Sequence, residues 1–135
     1  LVTLQTELQF IESYFYLLKM RHGRGLELQV EVAPGDMEKL LPPLTLQMLI
    51  ENTLNNNVVT KDEPIVTQIV SATGDWLEVR NNIHRKHDEC GLTENIENIT
   101  KKFWLLCQKE VAIVEGADER RIRIPLINET KMHLA

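Results

Sequence analysis

The chain has 135 residues, enough for one domain with a single sizeable core, and its 43% hydrophobic and 26% charged composition is globular rather than disordered. Lys and Arg number 15 against 20 Asp and Glu, and the formal charge of -5 argues against nucleic-acid and anionic-membrane binding, both of which rest on a basic surface. Cys90 and Cys107 are too few for a disulfide framework, and no apolar run approaches the ~20 residues of a membrane span, so a reducing, cytosolic setting is expected.

The chain opens without Met in what reads as mid-helix, and so reads as a fragment whose targeting elements lie upstream. Leu1, Leu4, Leu8, Ile11, Phe15 and Leu18 fall at alternating spacings of three and four, an amphipathic helix with a seam narrow enough for a partner helix. Gly23 and Gly25 end it. Leu26 to Val32 alternates strictly, as a half-buried strand does, and Pro34-Gly35-Asp36 turns the chain. Pro42-Pro43 opens a second helix, with Pro43 near its first turn, running through Leu44, Leu46, Leu49, Ile50 and Leu54 to three asparagines.

Pro64 to Val70 and Trp76 to Arg80 read as two strands joined around Gly74-Asp75. Asn81 to Gly91 is a polar loop without periodicity. Its His84, His87, Asp88, Glu89 and Cys90 are metal-binding types, but one short segment lacks the converging scaffold of a zinc site. A solvated lid, with Arg85 or Lys86 available to phosphate, is the simpler reading. Thr93 to Cys107 resumes a helical pattern through Ile96, Ile99, Phe103 and Leu106. Val111 to Glu115 and Arg120 to Leu126 form a closing hairpin, with Ile122, Ile124 and Leu126 alternating against Arg121 and Arg123. Tyr14, Tyr16, Trp76 and Trp104 fit core or helix-seam positions. This order of elements predicts an α/β two-layer sandwich, a mixed, mostly antiparallel sheet covered on one face by about three helices.

The second helix carries the unusual chemistry. Asn52, Asn55 and Asn56 lie at i, i+3 and i+4 and share a face bordered by Glu51, while Leu46, Leu49, Ile50 and Thr53 form the opposite, anchoring side. Buried amides need partners, at ~1–3 kcal/mol for each group left unsatisfied, and a ligand or metal-bound water would supply them. A solvated helix edge with the last asparagines as C-caps is the alternative.

The run LLPPLTLQMLIENTLNNNVVTKDEP, from Leu40 to Pro64, resembles the N-box region of LytS-type sensor histidine kinases, P-P-L-x-L-Q-x-L-V-E-N-A-[IL]-K-H-[GN]. Pro42, Pro43, Leu44, Leu46, Gln47, Leu49, Glu51, Asn52 and Leu54 match it. The first helix is similar to the family's helix entering its ATPase domain. WLEVRNNI, the polar loop and ENITKKF resemble its adenine-side strand, lid and following helix. The resemblance spans Leu1 to about Leu126 and implies the Bergerat-type ATP-binding fold.

It also implies ATP and Mg²⁺ as cofactors. Asn52 would ligate the metal through the nucleotide phosphates, and Glu51 would act beside it as the catalytic group that polarises a water or orients the metal shell. Asn81 would accept the adenine amino group. Read from the residues alone, Glu51 is equally a surface carboxylate and Asn81 a turn asparagine at a strand end.

The chain departs from the pattern at two places. Asn55 and Asn56 stand where the family's nucleotide-binding Lys and His are expected, so one positive charge is missing. The glycine-rich phosphate loop, G-x-G-L-x-N-I, is degenerate. Aligned on Glu97-Asn98-Ile99 its glycines become Thr93 and Asn95; aligned on Gly91-Leu92 one glycine survives with the spacing off by one.

By resemblance, then, residues 1–24 are a helix linking from an upstream dimerisation and phosphoacceptor region, 25–127 the ATP-binding domain and 128–135 a frayed tail. The implied function is transfer of the ATP γ-phosphoryl to a histidine upstream of Leu1. His22, His84, His87 and His133 lack the acceptor's sequence context. The implied partners are ATP, a response regulator and a second copy paired through the upstream helices and the first helix, without nucleic acid or direct membrane contact. The setting is the cytoplasmic domain of an inner-membrane protein. The two departures leave an alternative, an interaction module of the same fold that signals conformationally without catalysis.

Overall fold

Thr3 ends a two-residue strand, β1 (Val2–Thr3), and caps the helix that follows: its Oγ1 accepts from the Thr6 amide at 3.2 Å. That helix, α1, spans Leu4–His22. In this computed structural model residues 1–56, 62–83, 94–116 and 118–128 are described, with side chains for all of these but Asn55, Asn56, Glu94, Asn95 and Ile96. The polar loop's His84 to Gly91 and the tail beyond Asn128 lie outside the described residues.

The elements that follow are β2 (Leu26–Glu31), β3 (Leu40–Leu41), α2 (Thr45–Asn56), β4 (Ile65–Ala72), β5 (Trp76–Asn82), α3 (Glu94–Cys107), β6 (Ala112–Glu115) and β7 (Glu119–Pro125). The main sheet has the order β2-β4-β5-β7-β6. Only β2 and β4 run parallel, with Leu26 opposite Ile65, and α2 lies in the crossover between them. A second sheet, unforeseen from the sequence, pairs β1 antiparallel with β3, and Leu40 exchanges backbone bonds of 2.7 and 2.8 Å with Ile127.

Local chemistry sets the helix ends. Gly23 closes α1 at φ 60° and ψ -131°, a backbone state that L-residues with a Cβ avoid. Leu44 takes φ 65° directly after the two prolines, and Thr45 Oγ1 donates to the Pro42 carbonyl at 2.7 Å. The helix thus starts at Thr45, with Pro42-Pro43 ahead of its first turn. Gln108 ends α3 at φ 55°, its amide bonded to the Trp104 carbonyl at 2.9 Å.

Strand alternation sends Ile65, Thr67 and Ile69, then Leu77, Val79 and Asn81, then Arg120, Ile122 and Ile124 to the buried face. Leu4, Leu8, Ile11 and Phe15 of α1, Leu46, Leu49 and Ile50 of α2, and Ile99 and Phe103 of α3 join them in one core. Each large apolar side chain so buried contributes ~1.5–3 kcal/mol. The α1 seam is thus covered within the domain, whereas Phe10, Tyr16, Leu17 and Met20 are exposed. Trp104 and Leu106 on α3 are exposed too, so neither Tyr16 nor Trp104 is a core residue.

Candidate functional site

The triplet Glu51-Asn52-Thr53 sits midway along α2, where successive side chains diverge by about 100° around the helix. Asn52 and Thr53 face the sheet and are fully or almost fully buried, at 0% and 3% exposure. Glu51 turns the other way, toward α1. Its Oε1 accepts from Tyr14 Oη at 3.2 Å and from Gln47 Nε2 at 3.0 Å. Burial pushes the Tyr14 phenol up to about 12, and the Glu51 charge and hydrogen bond push it the same way.

Beneath Asn52 lies a residue that sequence reading passed over. Arg120, on the inward face of β7 and only 4% exposed, donates from Nη1 to Asn52 Oδ1 and from Nη2 to Thr53 Oγ1, the latter at 2.8 Å. Having accepted from the guanidinium, Thr53 has one proton to give. The Leu49 carbonyl at 3.0 Å takes it more readily than Asn81 Oδ1 at 3.5 Å. Asn81 pairs with Arg120 across the β5–β7 ladder, is itself 3% exposed, and donates from Nδ2 to the Asn82 carbonyl at 2.9 Å. Asn82, pointing to the other face, ties β5 to β4 by accepting from the Val66 amide at 2.7 Å and donating to the Pro64 carbonyl at 2.9 Å.

Of the residues singled out from sequence, the fold brings Asn52 and Asn81 into one buried polar cluster around Arg120 and Thr53. Glu51 belongs to the α1–α2 contact. The backbones of Asn55 and Asn56 form the last turn of α2 and that of Asn95 the first turn of α3, while Gly91 lies outside the described residues. Arg120 was legible in principle: it shares the parity of Ile122 and Ile124, so a strand reading places a cation inside.

Asn52 is the side chain to which the resemblance assigns Mg²⁺. Its amide oxygen accepts from the buried guanidinium of Arg120. A divalent cation on that oxygen would stand beside the guanidinium, whose like charge opposes it there. Among the described residues, no group of three or more His, Cys, Asp or Glu converges to hold a metal elsewhere. These residues fit a divalent metal poorly.

An open cleft of about 360 Å³ is lined by Val66, Gln68, Arg80, Asn81, Asn82, Asp118 and Glu119, so Asn81 borders both it and the buried cluster. Beside it, Glu78 is 3% exposed beneath Arg80 and Arg123. Burial raises its carboxyl, but hydrogen bonds and charge from the two arginines outweigh that and hold it below the usual carboxylate range.

No family model matches the chain. Sensor protein LytS of Staphylococcus saprophyticus is 24% identical over 139 residues, covering 91% of this chain and 24% of that protein. The chain therefore spans about a quarter of that relative's length. Among solved structures, the histidine kinase AdeS of Acinetobacter baumannii superposes with a TM-score of 0.60 at 10% identity, over 94% of this chain and 66% of that one. The blue-light activated histidine kinase of Erythrobacter litoralis EL346 gives 0.55 at 16%, over 96% and 43%. The mycobacterial sensor histidine kinase MprB gives 0.53 at 10%, over 89% and 94%. At these identities the likeness establishes the fold. The mixed, mostly antiparallel sheet under three helices is the Bergerat-type ATP-binding fold. No helix among the described residues is long and apolar enough to cross a membrane.

Proposed function

We propose that the chain is the nucleotide-binding domain of a LytS-type sensor histidine kinase, holding ATP so that its γ-phosphoryl faces a histidine upstream of Leu1. The observation that carries this reading is the position of Asn52: the N-box asparagine lies buried on the crossover helix, against the inner strands of an ATP-binding fold. The run from Leu40 to Pro64 and the similarity to LytS over most of the chain support it. Asn52, Asn55, Asn56, Asn81, Gly91 and Asn95 are the proposed nucleotide-contacting positions, and catalysis rests on positioning and charge neutralisation rather than covalent chemistry. Glu51 is proposed beside them, its carboxylate held toward α1.

In this reading residues 1–24 connect to an upstream dimerisation and phosphoacceptor region, 25–127 form the nucleotide-binding unit and 128–135 are a tail. The partners are a second copy, through upstream helices and α1, and a response regulator, with the whole protein anchored in the membrane and this domain on its cytoplasmic side. A pairing through α1 would use Phe10, Tyr16, Leu17 and Met20, since the Leu4–Phe15 seam is covered. Calorimetric titration with ATP tests the reading. Saturable binding, competed by ADP, is expected. Absence of heat at saturating nucleotide, with the fold intact by circular dichroism, sinks it.

A second reading keeps the fold and drops turnover: a module that senses nucleotide and signals by conformation. Arg120 on the oxygen of Asn52 favours it, together with asparagines where the family's Lys and His stand. Phosphorylation of an added acceptor domain from labelled ATP separates the two.

A further inference from the structure

We propose that α1 pairs in antiparallel orientation with α1 of a second copy, through an outward stripe of Thr6, Phe10, Ser13, Leu17 and Met20 edged by Tyr16. The inference rests on the pairing through α1 proposed above and deepens it, because it fixes the stripe, the direction and the register.

Spacing, shape and area point to a second copy. The five residues recur at intervals of four, three, four and three, the period of a helix seam. They lie away from Leu4, Leu8, Ile11 and Phe15, which the core covers, so α1 carries a second seam facing outward. At its middle the small Ser13 opens a hollow of about 440 Å³ bordered by Glu12, Tyr16 and Leu17. Phe10 stacks on Tyr14 with ring centroids 6.1 Å apart, which presets that ring. Phe10, Tyr16, Leu17 and Met20 are between 43% and 72% exposed. At roughly 150–250 Å² for a whole side chain they leave on the order of 500 Å² per copy, so a pair buries about 1,000 Å², the lower end for a specific contact.

Charge selects the direction. The acidic residues of α1, Glu7 and Glu12, lie in its first half, while Lys19, Arg21 and His22 occupy its last turn. A parallel pair would set the two basic turns and the two helix dipoles side by side. An antiparallel pair instead brings Lys19 level with Glu12 of the other copy and Arg21 over the ring of Phe10. In that register Ser13 faces Leu17 on either side of the two-fold axis and Phe10 faces Met20, so the hollow receives a large side chain. The contact is self-complementary and closes at two copies. It also reaches the nucleotide helix, because Phe10 stacks on Tyr14 and Tyr14 donates to Glu51 of α2.

Sedimentation equilibrium of the 135-residue chain between about 10 µM and 1 mM tests the pairing, and a reversible dimer is expected. A monomer throughout overturns the proposal and the α1 pairing with it, and leaves the nucleotide reading to its own titration. Leu17→Glu and Met20→Glu alter exposed side chains, so the fold should survive by circular dichroism while the dimer weakens by about tenfold or more. A dimer unaffected by both lies on another surface and refutes the proposal. Direction is read from a spin label at Gln5→Cys, combined with Cys90→Ser and Cys107→Ser. The axis lies level with Phe15, so antiparallel labels stand about 30 Å apart along the helix at ~1.5 Å per residue. Labels about 10 Å apart mean parallel helices, which overturns this inference while the pairing through α1 stands.

Discussion

Replacing Asn52 by Ala removes the acceptor for one nitrogen of a guanidinium that is almost entirely buried. A hydrogen bond to a charged group contributes ~1.5–3 kcal/mol, more than a neutral pair, because the donor left behind in the interior has already lost its water. Alanine returns part of this, since it is the better helix former by ~0.6 kcal/mol at an interior position such as this one in α2. The net loss expected is ~1–2.5 kcal/mol, or a fall in Tm of roughly 4–10 °C for a domain of this size. Urea unfolding followed by circular dichroism measures it, with an unchanged slope against denaturant showing that the folded and unfolded states are otherwise alike. Asn52→Asp keeps an acceptor oxygen and should recover most of the loss. If Asn52→Ala stays within ~0.5 kcal/mol of the wild type, the bond to Arg120 contributes nothing measurable and the electrostatic case against a metal falls with it.

Two further outcomes follow from the ionised groups. Glu78 is held ionised by Arg80 and Arg123, so its folded pKa lies below the unfolded one; the stability it contributes is present above the ordinary Glu range and is lost as pH falls through the lower folded value. Glu78→Gln should therefore be less stable than the wild type at neutral pH and should flatten the acid limb of the urea midpoint. Equal acid sensitivity in the two proteins contradicts this, provided Asp36→Asn is compared, because Asp36 is also held low: burial raises it, but hydrogen bonds from Lys39 and Ser71 and the Lys39 charge win. For Tyr14 the sign reverses. Its pKa is raised to about 12, so its contribution is full below the unfolded phenol's ~10 and is lost as pH climbs through the folded value. Alkaline titration of phenolate absorbance should show a late step that Tyr14→Phe abolishes, and a late step persisting in that variant would be the contrary result.

The two-layer plan was readable because apolar residues recur at helical spacing in α1, α2 and α3 and alternate in β2 and β7, so these elements announce which face they bury. The β1–β3 ribbon was not. Two residues per strand give no period to detect, and its bonds are set by where α1 and β7 arrive in space. At the site, the motif around Asn52 located one half of the cluster. The other half comes from a strand 68 residues later, and no local pattern ties the two together. Glu51 illustrates the converse. Its place beside Asn52 in sequence suggests a shared site, but neighbouring helix positions diverge, and Tyr14 holds the carboxylate at α1.

That divergence has a mechanical consequence for α2. Residues 51, 52 and 53 are held from two sides by different partners: α1 through the Tyr14–Glu51 bond, and β7 through the two bonds from Arg120. A helix tied by one contact can roll about its axis with little loss, because side-chain rotamers absorb the motion. With ties diverging by about 100–200° around the axis, a roll that relaxes one stretches another, and the cost rises with each bond lost at ~1 kcal/mol or more. Displacement of α1 is then felt at Asn52 without a change of ligand, and release of Arg120 from Asn52 is felt at Tyr14. The Tyr14 titration reads that link directly. In Arg120→Met the late phenolate step should move earlier if the two ties act on one rigid helix, and should stay in place if α2 yields between them.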